Sequence, residues 1–312
     1  MIRMSFPAGG GRVAALALAA LGTFARPGPL EAQAPAFTDS LLDRVRAVAR
    51  ATPGERPRSL HVLKVVESAG PLSNYVAVPD SQRVPSCYSA FQIRYRDRWI
   101  VVDAALDREG LGANSRATFF QDRFDRLQSA LRDAEHVVLT HEHLDHAGGV
   151  QRGPYFQQVA AKTLLTDEQL RTFLDPPAPR GVIRLSRDSA AAFPVLRYDL
   201  LFPLAPGVVL IKAPGHTPGS QYVYVQLANG REILILADLV WQSEGLETGQ
   251  QKPESASRSL GEDRPAVQAQ MDWARSVAGR GDIAVVLSHD SRSLDALVAR
   301  GVLRNDFDLR LR

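Results

Sequence analysis

The string His141-Glu142-His143-Leu144-Asp145-His146 constrains this chain more than any other feature. It follows a short apolar run at 137–139 and puts four potential metal ligands within six residues. Imidazole and carboxylate are the ligand types that borderline divalent cations prefer. Packing does not explain such a density, because His and Asp are ordinarily exposed or individually satisfied. Three further candidates stand at the ends of strand-like runs: His216, Asp238 and His289. Each is weak alone, since a lone His after a strand is commonly a hydrogen-bonded structural residue and a lone Asp commonly caps the next turn. Together they place five of the seven histidines in one candidate metal set.

Around these positions the apolar spacing changes between helical and strand periods. Residues 37–50 carry Leu41, Leu42, Val45 and Val48 on one helical face, and residues 117–132 carry Phe120, Phe124, Leu127 and Leu131 on another. β-branched and aromatic runs predict strands at 60–66, 89–95, 99–104 and 137–140, then at 208–212, 222–227, 233–237 and 283–288. Helices are predicted at 155–161, 167–174, 265–278 and 293–300. Pro71, Pro79 and Pro85 make residues 67–87 read as a loop. Strands and a helix, then strands and helices again, point to two sheets face to face with helices outside.

With 312 residues, 45% of them hydrophobic, the chain can bury an ordinary core without a disulfide. Residues 1–34 read as an export signal: Arg3 and Arg12, an apolar run at 13–25, and Ala32-Gln33-Ala34 as a cleavage site. The apolar run is too short to span a bilayer, so no stable membrane anchor is expected after its removal. A periplasmic or secreted protein follows, with a helix and linker over 35–58 and one domain over 59–312. Setting the signal aside lowers the net charge from +3 to +1, no Lys or Arg stripe is present, and aromatics are 7%. These features exclude a nucleic-acid binder and leave a small molecule as the expected partner, with a homodimer compatible with the composition. Cys87 is the only cysteine, so no internal disulfide or multi-cysteine site can form, and it is expected to behave as a small buried hydrophobe.

The H-x-H-x-D-H string followed by separated His, Asp and His resembles the metallo-β-lactamase-fold superfamily over about residues 60–300. The resemblance implies a four-layer αββα sandwich, two mixed sheets with external helices, and a site along one edge. It also implies two divalent metal ions, with zinc the default: His141, His143 and His216 on one, Asp145, His146 and His289 on the other, and Asp238 between them. Two such ions can share a water as hydroxide at neutral pH and direct it at an ester-like carbonyl, with Asp145 accepting the proton.

The bridging Asp238 sets the chain apart from true β-lactamases of this fold. The intervals of 70, 22 and 51 residues separating His146, His216, Asp238 and His289 look most like the lactonase and organophosphate-hydrolase branches. A lactone or carboxylic ester is the favoured substrate, with phosphotriester and thioester as alternatives and an inert metal-binding module as the rival class. Trp241 stands where acyl-homoserine lactonases commonly have Tyr, and is the expected substrate contact. The stretches 71–87, with Tyr75 and Val76, and 241–262 are expected to line the site. Asp103 is expected to steady the metal turn from behind, Glu142 to face solvent, and His61 and His136 to be packing residues.

Overall fold

Alternation along the strands explains the central layers. In the run at 221–226, Tyr222 and Tyr224 face one way and Val223 and Val225 the other, and all four are buried. A strand that is apolar on both faces must be covered on both. The computed structural model describes residues 37–112, 115–176 and 181–310, all within the compact unit Ala34–Arg312. The proposed export segment, residues 1–34, lies outside the described residues. None of the described helices is long and apolar enough to cross a membrane.

One sheet contains β1 (Ser59–Pro71), β2 (Arg83–Arg94), β3 (Trp99–Val102), β4 (Thr118–Phe119), β5 (His136–Val138), β6 (Thr163–Thr166) and β7 (Val195–Leu196). The other contains β8 (Leu201–Ala205), β9 (Val208–Lys212), β10 (Gln221–Gln226), β11 (Glu232–Ile235) and β12 (Ile283–Val286), and β13 (Arg304–Asn305) returns to the first. The first runs in the order β13-β1-β2-β3-β5-β6-β7 with β4 beside β1, and the second in the order β12-β11-β10-β9-β8. Both are mixed: β1, β2 and β3 pair antiparallel before β3, β5, β6 and β7 run parallel, and β11 and β12 are the parallel pair of the second sheet.

Three apolar cores separate four layers. Between the sheets, Val62, Phe91, Ile100, Val102 and Val138 meet Leu210, Val223 and Ile235. Outside the first sheet, Val65, Val101 and Val137 pack on Phe124, Leu127 and Leu131 of the helix Gln121–Asp133. Outside the second, Val209, Tyr222 and Leu234 are covered by Leu41 and Val45 of the helix Leu41–Ala51 and by Met271 and Trp273 of the helix Arg264–Gly279. The latter helix starts where the sequence dictates, with the Asp263 side chain accepting from Ala266 N and Pro265 in its first turn. This is the helix–sheet–sheet–helix sandwich expected above.

Two local expectations need correction, and no element was assigned to 201–205 from the sequence. Residues 67–87 are not one loop: β1 continues to Pro71 and β2 begins at Arg83, so the two form a long hairpin with its tip at 72–82. The stretch 241–262 contains two helices, Ser243–Thr248 and Glu254–Leu260, rather than open loop. The segment at 201–205 is a strand despite Pro203, which is tolerated because β8 is the edge of its sheet.

Several strands end at one rim of the sandwich and hand the chain to the candidate ligands: β3 to Asp103, β5 to the His141 turn, β9 to His216, β11 to Asp238 and β12 to His289. Two residues here, Asp103 at φ 63° and Ala237 at φ 47°, adopt left-handed backbone. That conformation is unfavourable for side chains other than Gly, Asn and Asp, and such strain collects at functional sites.

Candidate metal centre

The His141 turn is held tightly between a strand and a helix. The helix Leu144–Gln151 starts directly after His143, and its Gly149 lies so close to the segment after β3 that a Cβ there would stand 2.0 Å from Ala104 O. Only Gly fits that approach.

The structure brings all seven sequence-predicted ligands together. His143 Nδ1 lies 3.1 Å from His141 Nε2 and 3.0 Å from His216 Nε2, so three ring nitrogens face a common point. Beside them, His146 Nε2 and His289 Nε2 are 3.2 Å apart, with Asp145 Oδ2 at 3.9 Å and 3.5 Å from them respectively. Asp238 stands between the two sets. Its Oδ1 lies 3.1 Å from His146 Nε2 and 3.0 Å from His289 Nε2, and its Oδ2 lies 3.1 Å from His289 Nε2, 3.5 Å from His216 Nε2 and 3.9 Å from His141 Nε2. Every member is buried except Asp145, whose side chain is 25% exposed.

The outward nitrogens fix which way the lone pairs point. His146 Nδ1 donates to Asp103 Oδ2 at 2.8 Å, His289 Nδ1 to the Cys87 carbonyl at 2.7 Å, and His216 Nδ1 to Glu262 Oε1 at 2.5 Å. His141 Nδ1 faces Thr140 Oγ1 at 3.1 Å, whose own proton goes to Asp103 Oδ2. Carbonyls and carboxylates only accept, so the outer nitrogens carry the protons and the inner ones present lone pairs to the centre.

Electrostatics divide the two sets, favouring neutral rings in the first and, while no cation offsets Asp238, protonated rings in the second. Burial, reinforced by neighbouring imidazoles, pushes His141 well below its ordinary range and His143 down to about 3. Burial also disfavours charge on His146 and His289, but Asp238 with its neighbouring carboxylates outweighs it and raises both. Burial opposes ionisation of Asp238 as well, yet His289, His146 and His141 hold it well below the usual carboxylate range. Asp238 Oδ1 is nevertheless buried without a hydrogen-bond partner. Converging imidazole lone pairs around an orphaned anionic oxygen fit divalent cations of the zinc class.

One expectation about the surroundings of the site is met, and three residues escaped the sequence analysis or departed from it. Asp103, expected behind the turn, accepts from Thr140 N at 2.7 Å as well as from Thr140 Oγ1 and His146 at 2.8 Å each. Glu142 does not face solvent: it is fully buried, accepts from Thr217 Oγ1 and from Gly219 N at 2.9 Å, and so joins the His141 turn to the His216 turn. Burial pushes its pKa up. The side of the turn that Glu142 faces is protein interior. Lys252 and Glu262, both only 1% exposed at their side chains and paired at 2.7 Å, lie behind His216 and Asp238, in the stretch expected to line the site, where neither residue was singled out.

A cavity of about 260 Å³ opens over the centre. His143, Asp145, Asp238 and His289 border it at the metal centre, and Tyr75, Tyr88, Trp241 and Leu260 give it an aromatic and aliphatic wall. Tyr75 and Trp241 meet edge to face at 6.4 Å, and Tyr88 edges onto His289 at 5.5 Å. Trp241 Nε1 donates to Asp238 Oδ2 at 2.8 Å, so its one N–H orients the carboxylate while its ring faces the cavity. Val76 lies elsewhere, buried with Leu72 and Val84 in the hairpin.

A family model described as the metallo-beta-lactamase superfamily matches residues 88–289, more than half of the chain and all seven ligands. Among solved structures, a quorum-quenching N-acyl homoserine lactone lactonase superposes with a TM-score of 0.61 at 14% identity, covering 78% of this chain and 97% of its own. A dizinc quorum-quenching lactonase in complex with a product gives 0.56 at 16% identity, over 76% and 90%. A probable metal-dependent hydrolase from Staphylococcus aureus gives 0.55 at 15%, over 76% and 91%. At these identities the likeness is one of fold. No curated protein sequence matches the chain.

Proposed function

The chain belongs to the metallo-beta-lactamase superfamily, and from that premise we propose a dinuclear hydrolase that opens a lactone or a related carboxylic ester bearing an apolar arm. A metal-dependent hydrolase follows from the family; two ions, zinc as their identity, and the lactone are our reading. The observation that carries it is the Asp238 carboxylate, which stands between the two imidazole sets, with His146 and His289 within 3.1 Å of it on one side and His216 and His141 at 3.5 Å and 3.9 Å on the other. His141, His143 and His216 would hold one ion, Asp145, His146 and His289 the other, with Asp238 shared.

When bound, two divalent cations supply Lewis acidity toward a carbonyl oxygen and lower the pKa of a water to roughly 7. The residues of the chain do the rest. Asp238 lies at the common border of both sets and offsets cationic charge there. Asp145, the member most open to the cavity, is placed to receive the proton of the attacking water. Tyr75, Tyr88, Trp241 and Leu260 shield the reacting bond from bulk water and bury the apolar part of a substrate. The lactonases that share the fold support this substrate class, and an aromatic wall also suits a phosphotriester.

Protein purified without chelators is expected to carry about two metal ions per chain by mass spectrometry, and to hydrolyse lactones and aryl esters until the metal is stripped and again once zinc is restored. One ion or none, with hydrolysis indifferent to stripping, would overturn the reading. Hydrolysis confined to phosphotriesters would change the substrate alone. Export belongs to the same proposal, on the apolar run and the Ala32-Gln33-Ala34 site. N-terminal sequencing of protein from the periplasm or medium should begin at Arg26, Gln33 or Pro35, and a retained Met1 would refute processing.

A further inference from the structure

Lys252 and Glu262 make an ion pair inside the protein. An ammonium is rarely buried unless its protons find acceptors. Here Lys252 Nζ donates to Asp238 O at 2.6 Å, Leu239 O at 3.2 Å and Glu262 Oε1 at 2.7 Å. The same Glu262 oxygen accepts from His216 Nδ1. One side chain therefore holds the main chain of Asp238 directly and the ring of His216 through a single carboxylate. These two residues arrive from different strand ends, and their donor atoms, Asp238 Oδ2 and His216 Nε2, lie 3.5 Å apart beside the His141–His143–His216 set.

We propose that Lys252 is a positioning residue for that first metal position, clamping Asp238 and His216 into register; the role rests on the dinuclear reading above. Charge alone would work against it, because a cation near a metal site repels metal. Glu262 neutralises that charge at contact distance, and what remains is geometry. Lys252 is itself pinned, since Arg264 Nη1 donates to its carbonyl at 3.1 Å and to Ser257 Oγ at 2.7 Å. The second position shares Asp238 but has supports of its own that do not involve Lys252: Asp103 behind His146, and the Cys87 carbonyl behind His289. The effect of losing Lys252 is therefore selective, which a general loss of packing would not be.

The test is calorimetric titration of zinc into metal-stripped wild type, Lys252→Met and the double variant Lys252→Met/Glu262→Gln, with metal-free melting temperatures alongside. The double variant removes the unpaired buried carboxylate that could prevent the single variant from folding, and the amide oxygen at 262 still accepts from His216 Nδ1. In both variants one zinc is expected to bind as in the wild type, and the other about 10- to 100-fold more weakly. Two wild-type affinities in Lys252→Met, or zinc affinity that recovers together with melting temperature in the double variant, would overturn the clamp alone. A wild type that takes up no zinc would overturn the dinuclear reading and the clamp with it.

Discussion

Asp238→Ala is expected to reduce metal content to about one ion per chain and to lower hydrolysis by more than about 100-fold, the upper end of the effect of an outer partner, because a ligand itself is lost. The cause is geometric. No other described carboxylate stands between the two imidazole sets: Asp145 Oδ2 faces only His146 and His289. The folded apoprotein should lose stability as well, because the change leaves Trp241 Nε1 without its acceptor and His146 and His289 without the carboxylate they face. Metal counting by mass spectrometry, kcat on a lactone, and the metal-free melting temperature would be read together. Unchanged metal count and rate would sink the bridging assignment.

Asp103→Ala should cost stability and metal together, although Asp103 is no ligand itself. The carboxylate is fully buried and accepts three hydrogen bonds, from Thr140 N, Thr140 Oγ1 and His146 Nδ1. Orphaning those buried donors costs on the order of 1–3 kcal/mol each, which makes a total loss of about 4 kcal/mol or more reasonable. Placing Ala at φ 63° adds roughly another 1–2 kcal/mol. Denaturant unfolding of the metal-free variant measures this loss, and zinc affinity at the second position should fall about 10- to 100-fold with it. Asp103→Asn keeps one acceptor and tolerates the left-handed backbone, so it should retain more stability than Ala. Equal stabilities for wild type and Asp103→Ala would show that the buried network carries no load.

Much of the layering was legible because both faces of the central strands are covered. Val208, Val209, Leu210 and Ile211 alternate between two different cores without a polar residue among them, which only a sandwiched strand requires. The seven candidate ligands were legible for a different reason: their chemistry is too concentrated to be packing. Pro85 misled the reading of 67–87. There β2 has β1 on one side, and β3 does not pair with it until Phe91, so a residue lacking an N–H can sit in the strand at little cost. Glu142 misled it in the opposite sense, and Lys252 and Glu262 went unnoticed. Charged residues are almost never buried unless paired, and whether a partner exists is a property of the fold rather than of neighbouring residues. Glu262 finds Lys252 and His216, and Glu142 finds Thr217 and Gly219, 75 or more residues away.

The cavity wall comes from two places, the β1–β2 hairpin with Tyr75 at its tip and Tyr88 near its base, and the helical stretch that carries Trp241 and Leu260. They touch where Ala77 N donates to the Gln251 carbonyl at 2.8 Å. The hairpin tip supplies no ligand and supports none, so it can be grafted or diversified to retarget the pocket while the catalytic floor stays intact. The helical stretch cannot be exchanged so freely. Any transplant that discards Lys252 and Glu262 swaps out part of the foundation together with the wall, which makes the two sides of the pocket unequal material for engineering.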